Sequence, residues 1–327
     1  MVRQRDCNSC RFRTAYKQNR LQQLRGFCYA AQAGSMSKAA QRMLLRQPSV
    51  SLQIRSLERE LGVQLFDRSG PKIALTAQGK LLYELAAPLV EGLDTLEESF
   101  AARRDVVLKG RLDIAAGEST ILYILPRYVS EFTRNHPGID LELHNVTGRE
   151  GLIMLRAGEV DFAFGSMLDV PDDIEYIPLY TFHPVLIAAP DHPLAHGGKI
   201  TLEDIAQYPL ILPPRHLTTW QVVDSTFKQR GLKYQVKVEA GGWEVIKRYV
   251  ELGLGISVVT SICLTGSERL VAVPVKEYFP QRTYGVVLRK GKFLSPQARR
   301  FIELLDPRFH ERNPGGHGFS RPVVAGS

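Results

Sequence analysis

Cysteine is scarce in this sequence, with Cys7, Cys10, Cys28 and Cys263 the only four among 327 residues, and that excludes a disulfide-scaffolded fold. Cys7 and Cys10 form a CxxC, but no second CxxC or CxxH follows at zinc-finger spacing, so no metal is expected there. No apolar run reaches the roughly 18 residues that a bilayer crossing needs, so no membrane partner is expected. Residues 1–20 are basic and lack the apolar centre of a secretory signal, which reads as a cytoplasmic protein. The marks of common α/β enzymes are missing too: there is no GxGxxG, Walker A loop, GxSxG or HExxH. His192 and His196 are four apart, but Pro193 and Gly197 place them in a loop rather than on a zinc-binding helix. Cys263, between Ile262 and Leu264, reads as a small buried hydrophobe. Neither a catalytic residue nor a cofactor is expected.

Positive charge is plentiful at one end only. Residues 1–75 carry 14 Lys+Arg against 4 Asp+Glu, a net of +10, whereas residues 76–327 carry 28 against 30, a net of −2. Residues 1–20 hold +5 of this excess and read as an unstructured leader. The other +5, over residues 21–75, suits a segment docked on phosphates.

Hydrophobic spacing then divides the chain. Leu21, Leu24, Phe27, Cys28 and Ala31 stripe a first helix over 21–33, ended by Gly34. Ser35 and Ser37 offer an N-cap to a second short helix. A third begins near Pro48, buries Val50, Ile54, Leu57 and Leu61, and stops at Gly62. Its opposite face shows Pro48, Ser49, Ser51, Leu52, Arg55, Ser56 and Arg59, a poor core surface but a plausible groove-reading one. Residues 66–75 read as two short extended pieces around a Gly70–Pro71 turn. A long helix is expected from Thr76 to about Arg104, its seam of Leu82, Leu85, Leu89, Leu93, Leu96 and Phe100 implying a second copy of itself. Pro88 should kink it.

From Arg111 on, strand and helix patterns alternate. Strands are expected at 111–116, 139–145 and 161–165, with helices at 121–135 and 151–157, an order that implies a parallel sheet. A second set runs from about Tyr176 to Val259, with strands at 185–189, 210–212 and 234–240 and helices at 219–230 and 244–252. Strands at 270–274 and 284–288 and a helix from Pro296 complete two α/β lobes, between which the chain crosses twice. Lobe I is set at about 110–165 and 271–306, lobe II at about 166–270, and a disordered tail at 307–327.

The run from Ser37 to Ala40, the run RQPSVSLQIR at 46–55, Leu57 and Glu58, Glu60 to Gly62, Leu65 to Arg68 and Leu75 to Gly79 together resemble the DNA-binding motif of LysR-type regulators. Weaker echoes extend to residue 306: Leu125 and Pro126, Phe132, His136 and Pro137, Gly158 to Asp161, His192 to Leu194 and Leu252 to Ile256. The resemblance implies an N-terminal all-α winged helix-turn-helix (21–75) and a dimerising linker helix (76–105). An α/β effector domain (110–306), two-lobed like periplasmic binding proteins, would follow. It also implies homotetramers, inverted-repeat promoter DNA as a partner, and an effector that alters the DNA bend. The chain departs from the family in Leu52, where Arg is frequent, and in Pro88 within the linker helix. Val245 to Val250 is similar to the CysB-like branch that governs sulfur assimilation.

Two sets of site residues follow. Gln47 can pair bidentately with adenine, Arg55 can reach guanine or a phosphate, and Leu52 can pack on a thymine methyl, with Pro48, Ser49 and Ser51 beside them. Ser35, Ser37, Arg68 and Lys72 suit phosphate contacts that fix register. For a small polar or anionic effector, three strand-to-helix loops offer hydroxyls and helix N-termini: Glu118, Ser119 and Thr120, then Thr147 and Gly148, then Thr218 and Thr219. The alternative reading is a solute-binding module or α/β enzyme with a non-specific basic N-terminus.

Overall fold

The computed structural model describes residues 20–67, 73–96, 100, 109–196, 198 and 200–309. The leader up to residue 19, Cys7, Cys10, Arg68, Lys72 and the tail from 310 lie outside the described residues. The chain divides into two compact units, Met1–Glu97 with Gly291–Phe293, and Glu98–Lys290 with Leu294–Ser327.

In the first unit, α1 (Arg20–Ala33), α2 (Met36–Arg42) and α3 (Gln47–Leu61) close on one core of Phe27, Cys28, Val50, Ile54, Leu57 and Phe66. Leu21 stays exposed, so the buried stripe of α1 is Phe27, Cys28 and Ala30. Ser35 caps α2 by accepting from Lys38 N at 3.4 Å. Pro48 sits in the first turn of α3, where a missing N–H costs nothing, and Gly62 ends the helix at φ +71°. Strands β1 (Phe66–Asp67) and β2 (Ala74–Leu75) pair antiparallel. Glu58 of α3 accepts from the N–H groups of Leu65 and Phe66, fixing where this ribbon starts.

Thr76 caps α4 (Ala77–Asp94). Its C-cap is Thr95, whose hydroxyl donates back to Glu91 O at 3.0 Å; residues 96 and 100 are again helical, and the rest of the stretch expected to reach Arg104 lies outside the described residues. Pro88 lies in its interior. Leu82 turns into the core, while Leu81, Leu85, Leu89, Leu93, Leu96 and Phe100 are exposed.

The second unit begins with β3 (Gly110–Ala116), α5 (Glu118–Tyr123), α6 (Leu125–Asn135), β4 (Ile139–Asn145), α7 (Gly148–Ala157) and β5 (Phe162–Ser166). One helix was expected over 121–135. Pro126, unable to donate within the helix, instead starts α6 anew after a break at Ile124. Strand β6 (Ile174–Phe182) and β12 (Arg282–Arg289) complete a five-stranded sheet of order β4-β3-β5-β12-β6. The three strands expected to be parallel are so, β3 with β4 and β5, and β12 joins antiparallel to β5 and β6, so the whole sheet is mixed. The expected lobe boundary also shifts, since β6 falls in lobe I and not in lobe II. Pro178 argues against a central strand, but β6 is an edge strand and tolerates it at a bulge opposite Gly285. A Cβ on Gly285 would lie 2.0 Å from the Ile177 carbonyl oxygen, so the bulge demands glycine.

Leu112 and Ile114 point to the face covered by α6 and by α11 (Pro296–Leu305), where Phe132 and Phe301 stack at 5.0 Å. Ala115 points to the face covered by α7. Phe309 is buried in the first of these cores, so residues 307–309 belong to the fold and not to a tail.

The other lobe holds β7 (Pro184–Ala188), α8 (Leu202–Ala206), β8 (Leu210–Leu212), α9 (Thr218–Gln229), β9 (Val236–Glu239), α10 (Trp243–Glu251), β10 (Ser257–Thr260) and β11 (Val271–Pro274). Strand β7 lies between β10 and β11, antiparallel to both. Strand β11 therefore belongs here and not to lobe I, where 271–274 was expected, because Val273 faces this lobe's core. A parallel bridge between Leu210 and Ile256 links the β8–β9 pair to these strands.

Candidate functional site

In the first unit, α3 divides as its spacing requires. Val50, Ile54 and Leu57 are buried, and Gln47, Pro48, Ser49, Leu52 and Arg55 are exposed on the other side, with Ser51 half-buried. Gln47 Nε2 donates to Ser51 Oγ at 3.1 Å, one turn along, which orders the amide along the exposed face. Leu52 is 63% exposed on this face. Ser37 is exposed, whereas the Ser35 hydroxyl is engaged in capping α2. Arg68 and Lys72, expected as phosphate contacts, lie outside the described residues.

In the second unit, a cavity of about 480 Å³ opens between the two lobes. It lies at the carboxyl ends of β3 and β4, whose following helices pass to opposite faces of the sheet, the usual position for a ligand in such sheets. The structure brings Glu118, Ser119, Thr120, Thr147, Gly148, Thr218 and Thr219 together on its walls. They are not loop residues, as expected, but first-turn or cap residues of α5, α7 and α9.

Their chemical freedom differs. Thr147 forms a capping box with Glu150: its Oγ accepts from Glu150 N at 3.3 Å, and Glu150 Oε2 accepts from Thr147 N at 2.9 Å and from its hydroxyl at 2.8 Å. These donors, the backbone N–H first, hold the Glu150 carboxyl below its ordinary range. Thr147 and Glu150 are thus committed to holding α7. Helix α9 is capped by Leu217 and α10 by Gly242, neither of which offers a side-chain oxygen. Their first-turn N–H groups therefore keep the partial positive charge of a helix start.

Sequence reasoning missed Arg282. Among the described residues lining the cavity it is the only Lys or Arg. Its Nε donates to Ser166 Oγ at 3.3 Å and its Nη1 to Thr219 Oγ1 at 3.0 Å, so it reaches from the first residue of β12 in one lobe to the start of α9 in the other. Among the described residues it has no carboxylate partner. A lone arginine beginning a strand carries no sequence signal. Gly241 and Gly242 before Trp243 were more legible, since Gly242 takes φ +82° to start α10 and also lines the cavity.

The lobes also meet at an ionic group built around the buried Lys247. The Tyr123 hydroxyl of α5 donates to Glu244 of α10, and Lys247 Nζ reaches Glu244 at 2.8 Å, Glu268 at 2.7 Å and the Cys263 carbonyl oxygen at 2.8 Å. Burial alone would raise the Glu268 carboxyl. The Lys247 ammonium and the Thr265 N–H outweigh it and bring the pKa down to about 2. Burial pushes the Cys263 thiol up to about 12, and Cys28 is buried as well. Asp113, Glu142 and His144 cluster on β3 and β4, but Arg111 bridges the two carboxylates at 2.7 and 2.6 Å and supplies the positive charge a metal would bring.

Residues 21–80 match the family described as bacterial regulatory helix-turn-helix protein, lysR family, and residues 107–309 match the LysR substrate binding domain. The chain is 34% identical over 289 residues to the RuBisCO operon transcriptional regulator of Allochromatium vinosum, covering 87% of this chain and 95% of that protein. It is 28% identical to CysB of Haemophilus influenzae, over 84% and 85% of the two chains, so the CysB-like branch is among its relatives. Among solved structures, the cofactor-binding domain of the Cbl transcriptional regulator is similar at TM-score 0.56 and 30% identity, covering 61% of this chain and 89% of that one. Full-length OxyR from Pseudomonas aeruginosa shares the fold at TM-score 0.64 and 24% identity, over 88% and 94% of the chains. Paired with the effector-type domain, the helix-turn-helix replaces the enzyme and solute-binding alternatives. This chain belongs to the LysR family of DNA-binding transcriptional regulators.

Proposed function

We propose that the exposed face of α3 reads promoter DNA as an inverted repeat and that the interlobe cavity senses a small anionic effector. On this reading Gln47, Leu52 and Arg55 meet base edges, with Pro48, Ser49 and Ser51 packed close to the groove, while Ser35, Ser37, Arg68 and Lys72 hold phosphates. The exposed leucines of α4 pair with the same helix of a second copy, giving the dimer that a two-fold operator requires, and tetramers form from dimers. The described residues contain no helix long and apolar enough to cross a membrane, and the protein acts in the cytoplasm, with the DNA it binds.

The observation that carries the effector reading is Arg282, an uncompensated cation held by two hydroxyls beside the uncapped start of α9. Ser119, Thr120, Thr218 and Thr219 supply neutral donors around it, and effector binding changes the DNA bend by resetting the lobes. The test is thermal denaturation of the full chain with sulfate, phosphate or acetate at constant ionic strength, for wild type and Arg282→Gln. Wild type should be stabilised saturably by at least one of them. The variant should need about tenfold more of the anion or worse, since a charge-assisted hydrogen bond is lost. Equal, non-saturating shifts in both proteins would defeat the effector reading.

A further inference from the structure

The cavity that holds Arg282 also presents, beside the start of α10, a carboxylate that no cationic side chain among the described residues pairs. Two carboxylates line it, and they differ in what they already do. Glu150 is consumed by the Thr147 capping box. Glu118, in the first turn of α5, is exposed and makes no hydrogen bond or ion pair among the described residues. Its oxygens reach across to the other lobe, so that a Cβ on Gly242 would lie 2.7 Å from Oε1 and 3.1 Å from Oε2. Glu118 and Arg282 thus stand in one cavity, each charged and neither neutralising the other, since no ion pair within 4.0 Å joins them.

A cavity meant for a plain anion gains nothing from a free carboxylate on its wall, because like charges repel most strongly where water is scarce. Opposite charges held apart in one cleft fit a ligand that carries both signs. We infer that the effector is zwitterionic, with an acidic group (carboxylate, sulfonate or phosphate) on Arg282 and the α9 start, and a protonated amine on Glu118. Such a ligand bridges the lobes, because Glu118 belongs to one lobe and the α9 start to the other. Gly242 leaves room for this on the α10 side, since any side chain there would fill the space beside Glu118. The inference rests on the anion reading of the cavity and narrows it.

The test uses three two-carbon amino acids that differ in the acidic group: β-alanine, taurine and phosphoethanolamine. Each is paired with its counterpart lacking the amine, namely propanoate, ethanesulfonate and ethyl phosphate. Dissociation constants are taken from thermal shifts of the full chain, for wild type, Glu118→Gln and Arg282→Gln. At least one amine-bearing probe should bind wild type about tenfold more tightly than its partner, the size of one charge-assisted contact. Glu118→Gln, nearly isosteric and on an exposed side chain, should erase that preference while leaving the amine-free partner bound. Arg282→Gln should weaken both members of the pair. Tighter binding of the amine-free partners, a preference that survives Glu118→Gln, or no binding by any amine-bearing probe overturns the zwitterion assignment. Amine-free probes that still depend on Arg282 would leave the anion reading standing. Shifts insensitive to Arg282 would remove both.

Discussion

The two functional surfaces are assembled in different ways. The residues proposed to meet DNA all fall between Ser35 and Lys72, and the described ones lie on or cap two consecutive helices. The walls of the effector cavity come from segments spread from Ala115 to Val287, in two lobes that the chain visits alternately. Local sequence decides the first surface almost alone: one face of α3 is apolar at helical spacing, and the other is what remains. The second surface depends on which strands lie side by side, and that is settled by long-range packing. A compact motif therefore concentrates its vulnerability in a few backbone contacts, whereas the dispersed cavity can lose a hydroxyl and keep its shape.

The largest expected effect breaks the compact side of this comparison. Gly79 packs so closely that a Cβ would stand 2.1 Å from the Leu65 carbonyl oxygen and 3.0 Å from its carbon, both rigid backbone. Gly79→Ala should cost on the order of 3–5 kcal/mol and abolish DNA binding, as measured by denaturant melts and mobility shift. A wild-type melt would mean the ribbon can shift freely.

The next probes the dispersed side through pH. Glu268 titrates near 2 in the folded protein against about 4.3 in an unfolded chain. A depressed carboxyl contributes stability that is present above about pH 4.3 and is lost as pH falls toward 2. Glu268→Gln should therefore lower stability at pH 7 by about 2 kcal/mol and flatten the acid limb between those values. An unchanged acid limb would assign that pH dependence elsewhere.

On the reading surface, Arg55→Ala should cost about 1–3 kcal/mol of site-specific binding at fixed salt, with no loss of fold. Equal affinities would remove Arg55 from the contact. The smallest effect is a gain. Leu44 sits at φ +54° and is 93% exposed, so it carries left-handed strain with no packing to offset it. Leu44→Asn should stabilise the first unit by about 1 kcal/mol in thermal melts.

Legibility in the sequence followed the same division. Ser35 as a cap, Pro48 in the first turn of α3, Gly62 as a stop and the buried Val50, Ile54 and Leu57 were all readable, since each acts within a turn of its own position. The hydroxyls at 119, 120, 218 and 219 were found because helix starts are also local. Arg282 was not, because its role depends on β12 inserting antiparallel between β5 and β6, bringing its first residue within hydrogen-bond reach of Ser166 and Thr219. The split of α5 from α6 could have been read from Pro126, and the placement of β6 was hidden by Pro178, which an edge strand tolerates.

The central claim, that α3 reads sequence and does not merely hold phosphates, is tested most directly by capturing genomic DNA on the purified full chain. Wild type and a Gln47→Ala/Arg55→Ala double variant would be compared at one near-physiological salt concentration with competitor DNA present. The account predicts that wild type enriches a few promoters sharing an interrupted inverted repeat and that the double variant loses this enrichment while keeping weak, salt-sensitive binding. Uniform capture by both proteins, with no shared motif, would contradict it.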